Sequence, residues 1–307
     1  MIKANLLHLS YNMWGDTPAP PDSSPGQRDT HYDPVLGFHE EVWRECIKTM
    51  ADAGMNAVLI DLGDAVRYAS HPEIAVEGAW AGEKLRKELA FCRECGLEPF
   101  PKLNFSACHD AWLGEYSRCL STPQYYEVCA DLIGEICELF DGPELFHIGM
   151  DEEDWAHQKN LQYAVIRQGK LWWHDLNFYV ERVEQKGSRA WAWSDVLWNA
   201  DREKFAQSMP RSVVQSNWYY SPQFPGQEVP VALQAFEWLE EMGYDQIPTG
   251  STWETPENYG SLVEWCRERI ADDRLMGFMM ADWRATTEDW RETHLEAIET
   301  VANAHEE

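Results

Sequence analysis

Short apolar runs alternate with longer amphipathic stretches along the chain, and the rhythm recurs about eight times. Residues 4–10, 56–61, 97–104, 144–150, 189–193, 212–217, 246–251 and 275–280 read as strands, with 246–251 the shortest signal and 97–104 broken by prolines. Between them, 38–53, 81–95, 122–140, 172–186, 229–242 and 286–304 carry helical periodicity. Gly54, Gly96, Gly187 and Gly243 stand where helix C-caps belong, and Ser121-Thr122-Pro123 supplies a cap followed by proline at the first helical position. Alternating strands and helices with short connections imply a parallel sheet, and eight units imply closure into a (β/α)8 TIM barrel. No linker or low-complexity segment divides the chain, so residues 1–307 read as a single α/β domain.

In such barrels chemistry sits at the C-terminal ends of the strands. The first strand leads into Tyr11, Asn12, Trp14 and Asp16, the second into Asp61 and Asp64, and the third into Asn104 and His109. The fourth leads into Asp151, Glu152, Glu153 and Asp154, the fifth into Trp193, Asp195 and Trp198, and the sixth into Trp218, Tyr219 and Tyr220. The seventh leads into Trp253 and Glu254, the eighth into Asp282 and Trp283. Carboxylates and indoles therefore gather on one face, a combination suited to sugar rings.

Composition narrows the partners. Acidic residues number 53 against 25 basic ones, a formal charge of −28, and there are 16 tryptophans, more than core packing requires. Such a chain lacks the cations that replace counterions on nucleic-acid phosphate, and it is repelled by an anionic membrane surface. No apolar run approaches the roughly 18 residues of a membrane span. The start, Met1 to His8, reads as a strand and not as a signal peptide. The eight cysteines include one Cys-x-x-C, Cys92 and Cys95, without the second pair a structural zinc site needs. They read as buried thiols, which points to a reducing, cytoplasmic setting. The expected partner is an oligosaccharide or glycoside, with no cofactor, no metal, and the oligomeric state left open.

The densest chemistry lies in His147-Ile148-Gly149-Met150-Asp151-Glu152. A regular strand would send Asp151 and Glu152 to opposite faces, but at a strand end that alternation breaks and both can enter the site. Gly149 allows a close approach of backbone or ligand. Two adjacent carboxylates in a partly dry pocket raise each other's proton affinity, so that one serves as an acid while the other stays ionised. The competing reading is a solvated acidic loop over residues 151–154. His147 reads equally well as a site residue or as a hydrogen-bonded core histidine.

This stretch resembles the His-x-Gly-x-Asp-Glu motif of the glycoside hydrolase family 20 β-N-acetylhexosaminidases. Pro101 and His109 are similar to the ends of that family's third-strand pattern, Trp193-Ser194-Asp195 to its Trp-Asp-Glu element, Tyr219 or Tyr220 to its tyrosine, and Trp283 to its late tryptophan. The resemblance covers the barrel and no accessory domain. It implies a substrate-assisted retaining mechanism, in which the 2-acetamido carbonyl of the substrate attacks the anomeric carbon. Glu152 would then be the general acid and base, and Asp151 would orient the acetamido N–H. A tyrosine would hold the acetamido oxygen, and tryptophans would wall the pocket. His109 would stand behind the acid pair.

The chain also departs from that pattern. Leu9-Ser10-Tyr11-Asn12 carries no arginine at the end of the first strand, Lys102 replaces an acid, and Pro222 and Ala285 stand where acids are expected. Candidates for rebuilt sugar contacts are Asn12, Trp14, Asp195, Glu254 and Asp282, besides Trp218 and Trp253. Two alternatives accompany this reading. One is a glycosidase with a separate carboxylate nucleophile, Glu254 or Asp282, needing carboxyls about 5–5.5 Å apart. The other is a carbohydrate-binding barrel without turnover. A metal-dependent hydrolase is disfavoured because the first strand offers only His8.

Overall fold

Eight parallel strands follow one another in the order of the chain: β1 (Ile2–His8), β2 (Ala57–Asp61), β3 (Glu98–Lys102), β4 (Leu145–His147), β5 (Arg189–Trp193), β6 (Val214–Ser216), β7 (Thr249–Gly250) and β8 (Gly277–Met280). The computed structural model describes residues 1–224 and 228–305. β1 is central, pairing Ala4 with Ala57 on one side and Ile2 with Gly277 on the other. The sheet closes between β6 and β7 through bridges of Gln215 to Gln246 and Trp218 to Thr249, with Thr249 N–H donating to the Asn217 carbonyl at 2.9 Å. The expected (β/α)8 barrel is therefore present.

The α-helices of seven residues or more are α1 (Glu40–Asp52), α2 (Gly82–Glu94), α3 (Pro123–Leu139), α4 (Lys170–Gln185), α5 (Arg202–Ser208), α6 (Val231–Glu241), α7 (Glu257–Arg267) and α8 (Arg291–Ala304). The four glycines expected as C-caps all have positive φ. Two helices were not expected. α5 is short and starts at Asp201, whose side chain accepts the Lys204 N–H. α7 buries Tyr259, Leu262, Val263 and Cys266, an i, i+3, i+4, i+7 set that sequence reading passed over. α8 begins at Arg291 and not at 286, because Thr286 is held by the His8 carbonyl and Glu288–Trp290 form a tighter turn. β4 stops at His147, short of the expected 150, because Gly149 and Met150 take positive φ.

Two apolar layers hold the barrel. The larger lies between strands and helices. The smaller fills the interior with Ala4, Leu6, Ala57, Leu59, Phe100, Leu145, Trp191, Val214, Ile247 and Met279. Towards the C-terminal end the inward positions turn polar: His8, Asp61, Lys102 and His147 are all buried. Lys102 Nζ donates to Asp61, so the lysine standing in an acid's place neutralises a neighbouring acid. His147 packs edge-on against Trp191 and Trp193, 5.0 and 4.7 Å between centroids, and burial holds its pKa far below the usual range. It is a neutral core histidine. All eight cysteines are free thiols, six of them buried. Among the described residues no helix is long and apolar enough to cross a membrane.

Closure at the opposite end depends on Gly277. A Cβ there would lie 2.1 Å from the Ile2 carbonyl oxygen and 2.7 Å from its carbon, both backbone atoms that cannot step aside. Gly277→Ala is expected to cost about 3 kcal/mol in urea unfolding. Because residue 277 lies at the N-terminal end of its strand, the cavity at the other end should be unaltered in the folded fraction.

Candidate active site

The end of β4 is bent by its own sequence. Gly149, Met150 and Glu152 all have positive φ, at 72°, 79° and 52°. Gly149 is the only residue that fits its position, because a Cβ would sit 1.9 Å from Asn104 Oδ1 and 2.8 Å from the Asn104 Cα. Left-handed backbone costs about 1–3 kcal/mol at a non-glycine residue. Hydrogen bonds offset that cost: Gly149 N–H to His147 Nδ1 at 3.0 Å, Met150 N–H to Asn104 Oδ1 at 3.3 Å, and Glu152 N–H to Asp195 Oδ2 at 2.8 Å. The turn breaks strand alternation and aims both Asp151 and Glu152 at the barrel mouth.

The four consecutive acids then part company. Glu153 is buried and forked by Arg167, with Nε donating to Oε1 at 2.8 Å and Nη2 to Oε2 at 2.5 Å. Arg167 also donates to the Phe105 carbonyl, the Tyr179 hydroxyl and Asp175, pinning the loop to β3's continuation and to α4. Asp154 is exposed and accepts the N–H groups of Ala156 and His157. The run is therefore not a solvated acidic loop.

His109 joins the remaining two acids. Its Nδ1 lies 3.1 Å from Asp151 Oδ1, and its Nε2 lies 3.5 Å from Glu152 Oε2. Burial opposes a charged imidazole, but the two carboxylates outweigh it and raise the His109 pKa to about 10. Burial likewise opposes the Asp151 carboxylate, yet the His109 charge, Lys102 and the Asn104 amide at 2.9 Å hold its pKa well below the ordinary carboxylate range. Asp195 shows the reverse: burial, then the charges of Asp151 and Glu152, push it up to about 8. At neutral pH the site thus has an ionised Asp151, an imidazolium, and a neutral Asp195 carboxyl supporting the Glu152 backbone. The glutamate itself is the more exposed of the pair and also lies 3.5 Å from His157 Nε2.

These groups open into a cavity of about 590 Å³. Of the sequence candidates, Trp14, Asp151, Glu152, Trp218, Tyr220, Trp253, Glu254 and Trp283 line it. Trp283 Nε1 donates to the Tyr220 hydroxyl at 3.1 Å, and Tyr220 stacks on Trp218 with ring planes 23° apart. Trp193 is fully buried beneath Trp283 as part of the floor.

His109 and Trp193 are buried behind the lining, Asp195 stands half-buried behind Glu152, and three further candidates are not brought to the cavity. Tyr219 donates to the Gln223 carbonyl and packs on Phe224. Asn12 holds Asp64 and the Asp33 backbone. Asp282 faces outward from β8, 2.5 Å from His294 of α8. Strand parity decides the last case, since Ala281 and Trp283 take the inward positions.

Sequence reading missed Asp29, His157, Lys159, Asn160 and Arg284 among the lining residues. Arg284 follows Trp283 and could have been found from that adjacency. Asp29 lies deep in a Pro/Gly-rich loop that no periodicity ties to the barrel. Among the described residues, one group could hold a metal ion: His109, Asp151 and Glu152, with ligand atoms within 4.8 Å of one another. A metal there would have to displace the proton that His109 holds.

No family model matches the chain, and no curated protein matches its sequence. Solved structures do match it in shape. The GH20 exo-β-N-acetylglucosaminidase of Vibrio harveyi, solved with N-acetylglucosamine, superimposes with a TM-score of 0.65 at 16% identity, over 99% of this chain and 54% of its own. The GH20 β-N-acetylhexosaminidase of Streptomyces coelicolor A3(2) gives 0.63 at 12% identity, over 97% and 63%. Dispersin B gives 0.60 at 15% identity and covers 98% of both chains. The fold is that of the GH20 barrel. The chain spans about half the length of the Vibrio GH20 enzyme, and at these identities the likeness is one of fold.

Gly149→Ala tests the turn. The added methyl should displace Asn104 and with it Asp151, so the cavity loses its ionised acid. We expect destabilisation of about 3 kcal/mol or more in urea unfolding, from overpacking and strain combined. A crystal structure of the variant should show the Asn104–Asp151 bond broken.

Proposed function

We propose that this barrel is a glycoside hydrolase that removes a terminal N-acetylhexosamine with retention, using the substrate's acetamido group as nucleophile. The observation that supports it best is the Asp151–His109–Glu152 arrangement at the cavity, which holds one carboxylate ionised beside a second, more exposed carboxyl group. In the first step the acetamido carbonyl oxygen attacks the anomeric carbon as the glycosidic C–O bond breaks. Glu152 gives its proton to the leaving oxygen. Asp151 accepts the acetamido N–H and stabilises the cationic oxazolinium ring. In the second step water attacks the same carbon, Glu152 takes its proton, and the ring reopens to the free sugar.

Each neighbouring group fits a part of this scheme. Lys102 and His109 keep Asp151 ionised while it serves. Burial keeps the Tyr220 hydroxyl neutral, hence a donor for the acetamido oxygen, whereas the Tyr219 hydroxyl is committed elsewhere. Trp14, Trp218 and Trp283 offer indole surfaces around one sugar ring. The rival with a separate nucleophile is weakened by the outward placement of Asp282, and Glu254 is exposed at the rim.

The test is a panel of aryl glycosides: N-acetylglucosaminide, N-acetylgalactosaminide and their unacetylated parents, on wild type and Glu152→Gln. Cleavage confined to the N-acetylated pair is expected, falling about 10²–10⁴-fold in the variant. A thiazoline mimic of the oxazoline should inhibit strongly. Equal cleavage of the plain sugars would rule out acetamido participation. Sugar binding without turnover of any glycoside would identify a non-catalytic barrel.

A further inference from the structure

Arg284 is electrostatically unlike every other sheltered arginine of the chain. Among the described residues, each arginine that is not exposed has a carboxylate within 4.0 Å, except Arg284. This occurs in a protein of formal charge −28. Its guanidinium carbon lies 4.2 Å from the ring centre of Trp253 and 4.3 Å from that of Trp290. Indole contacts of this kind hold a guanidinium in place and leave its in-plane N–H groups to do the recognition. Those N–H groups are poorly used: Nη1 reaches only the Trp283 carbonyl at 3.5 Å, and Nε is buried without an acceptor.

An acceptor in the same condition lines the same cavity. Asp29 Oδ2 is buried and has no hydrogen-bond partner. Burial pushes this carboxyl up to about 6, while the Trp290 indole N–H and the Arg284 charge pull it back. Buried polar groups in folded proteins almost always find partners, so an unpaired donor and an unpaired acceptor on one cavity wall point to a ligand that supplies both. A hydroxyl donates and accepts. An anionic ligand fits less well, because Asp29 and Glu254 line the cavity too.

We propose that Arg284 and Asp29 together grip two adjacent hydroxyls of the terminal sugar and so select among epimers. This rests on the function proposed above for its choice of hydroxyls. In an N-acetylhexosaminide, carbon 1 carries the leaving group and carbon 2 the acetamide, so the adjacent ring hydroxyls left are those on carbons 3 and 4. Arg284 and Asp29 are then specificity-determining residues, with no part in moving protons at the anomeric centre.

The experiment is isothermal titration of N-acetylglucosamine, N-acetylgalactosamine, glucose, galactose and 4-deoxy-N-acetylglucosamine into wild type, Arg284→Gln, Arg284→Lys and the Asp29→Asn/Arg284→Gln pair. Wild type should prefer one carbon-4 epimer, and Arg284→Gln should weaken that sugar roughly 10- to 100-fold while erasing the preference. The lysine variant should recover only part of the loss, because it lacks the planar fork. The double variant should bind little worse than the single one. The 4-deoxy sugar makes the same test on unaltered protein and should bind wild type as weakly as the preferred epimer binds Arg284→Gln. Unchanged affinity and epimer preference in Arg284→Gln would overturn the proposal, as would failure of wild type to bind any of the five sugars. Arg284-dependent binding in a protein that cleaves no glycoside would uphold the grip and reject the hydrolysis.

Discussion

The site depends on one close contact, the backbone of Gly149 against the side chain and Cα of Asn104. No room exists there for a methyl group, and the chain leaves β4 in a left-handed conformation because of it. From that bend follow the inward direction of both Asp151 and Glu152, the bond from Asn104 to Asp151, and the approach of His109 to both acids. A regular strand would have sent one of the two carboxylates into the apolar layer between sheet and helices. The bend is held from outside by the buried Arg167, which ties Glu153 to the main chain after β3 and to α4.

Around this bend the buried acids are engaged by partners. Asp61 is engaged by Lys102, Glu153 by Arg167, Asp282 by His294, and Asp64 by Ser10 and Asn12. What remains at the cavity is Asp151 with its imidazolium, Glu152, Asp29 and the rim residue Glu254. Lys102 acts twice, neutralising Asp61 inside the barrel and adding positive potential beneath Asp151. An acid in its place would add a third negative charge to a buried group that already contains two.

Much of this was legible in the sequence. The eightfold rhythm marked every strand, because inward and outward faces of a barrel strand are both apolar and the glycines that end helices are visible as letters. The motif from His147 to Glu152 was legible because its chemistry is local: a glycine, two acids and a strand end within six residues. Asp282 and Tyr219 were misplaced for a common reason. Position after a strand shows nearness to the barrel mouth, but side-chain parity decides which residue enters it. Asp29 and His157 were invisible because long loops bring them in by tertiary packing, with no period of their own. Trp193 and His147 illustrate a further limit, since an aromatic or a histidine at a strand end can be floor as readily as lining.

The tryptophan excess acquires a location from the same geometry. Trp14, Trp218, Trp253 and Trp283 line the cavity, Trp290 backs Arg284, and Trp191 and Trp193 build the floor. The central claim, that His109 is a buried imidazolium paired with Asp151 and set beside Glu152, is open to direct measurement by ¹⁵N NMR of its ring nitrogens between pH 5 and 11. Its raised pKa means that the charged form persists through neutrality and is lost only as pH climbs through about 10. Both nitrogens should therefore report bound protons at pH 8, and in Asp151→Asn/Glu152→Gln, where burial acts without the two carboxylates, the same signals should titrate below the ordinary imidazole range. A wild-type imidazole that is neutral at pH 8 would contradict the account.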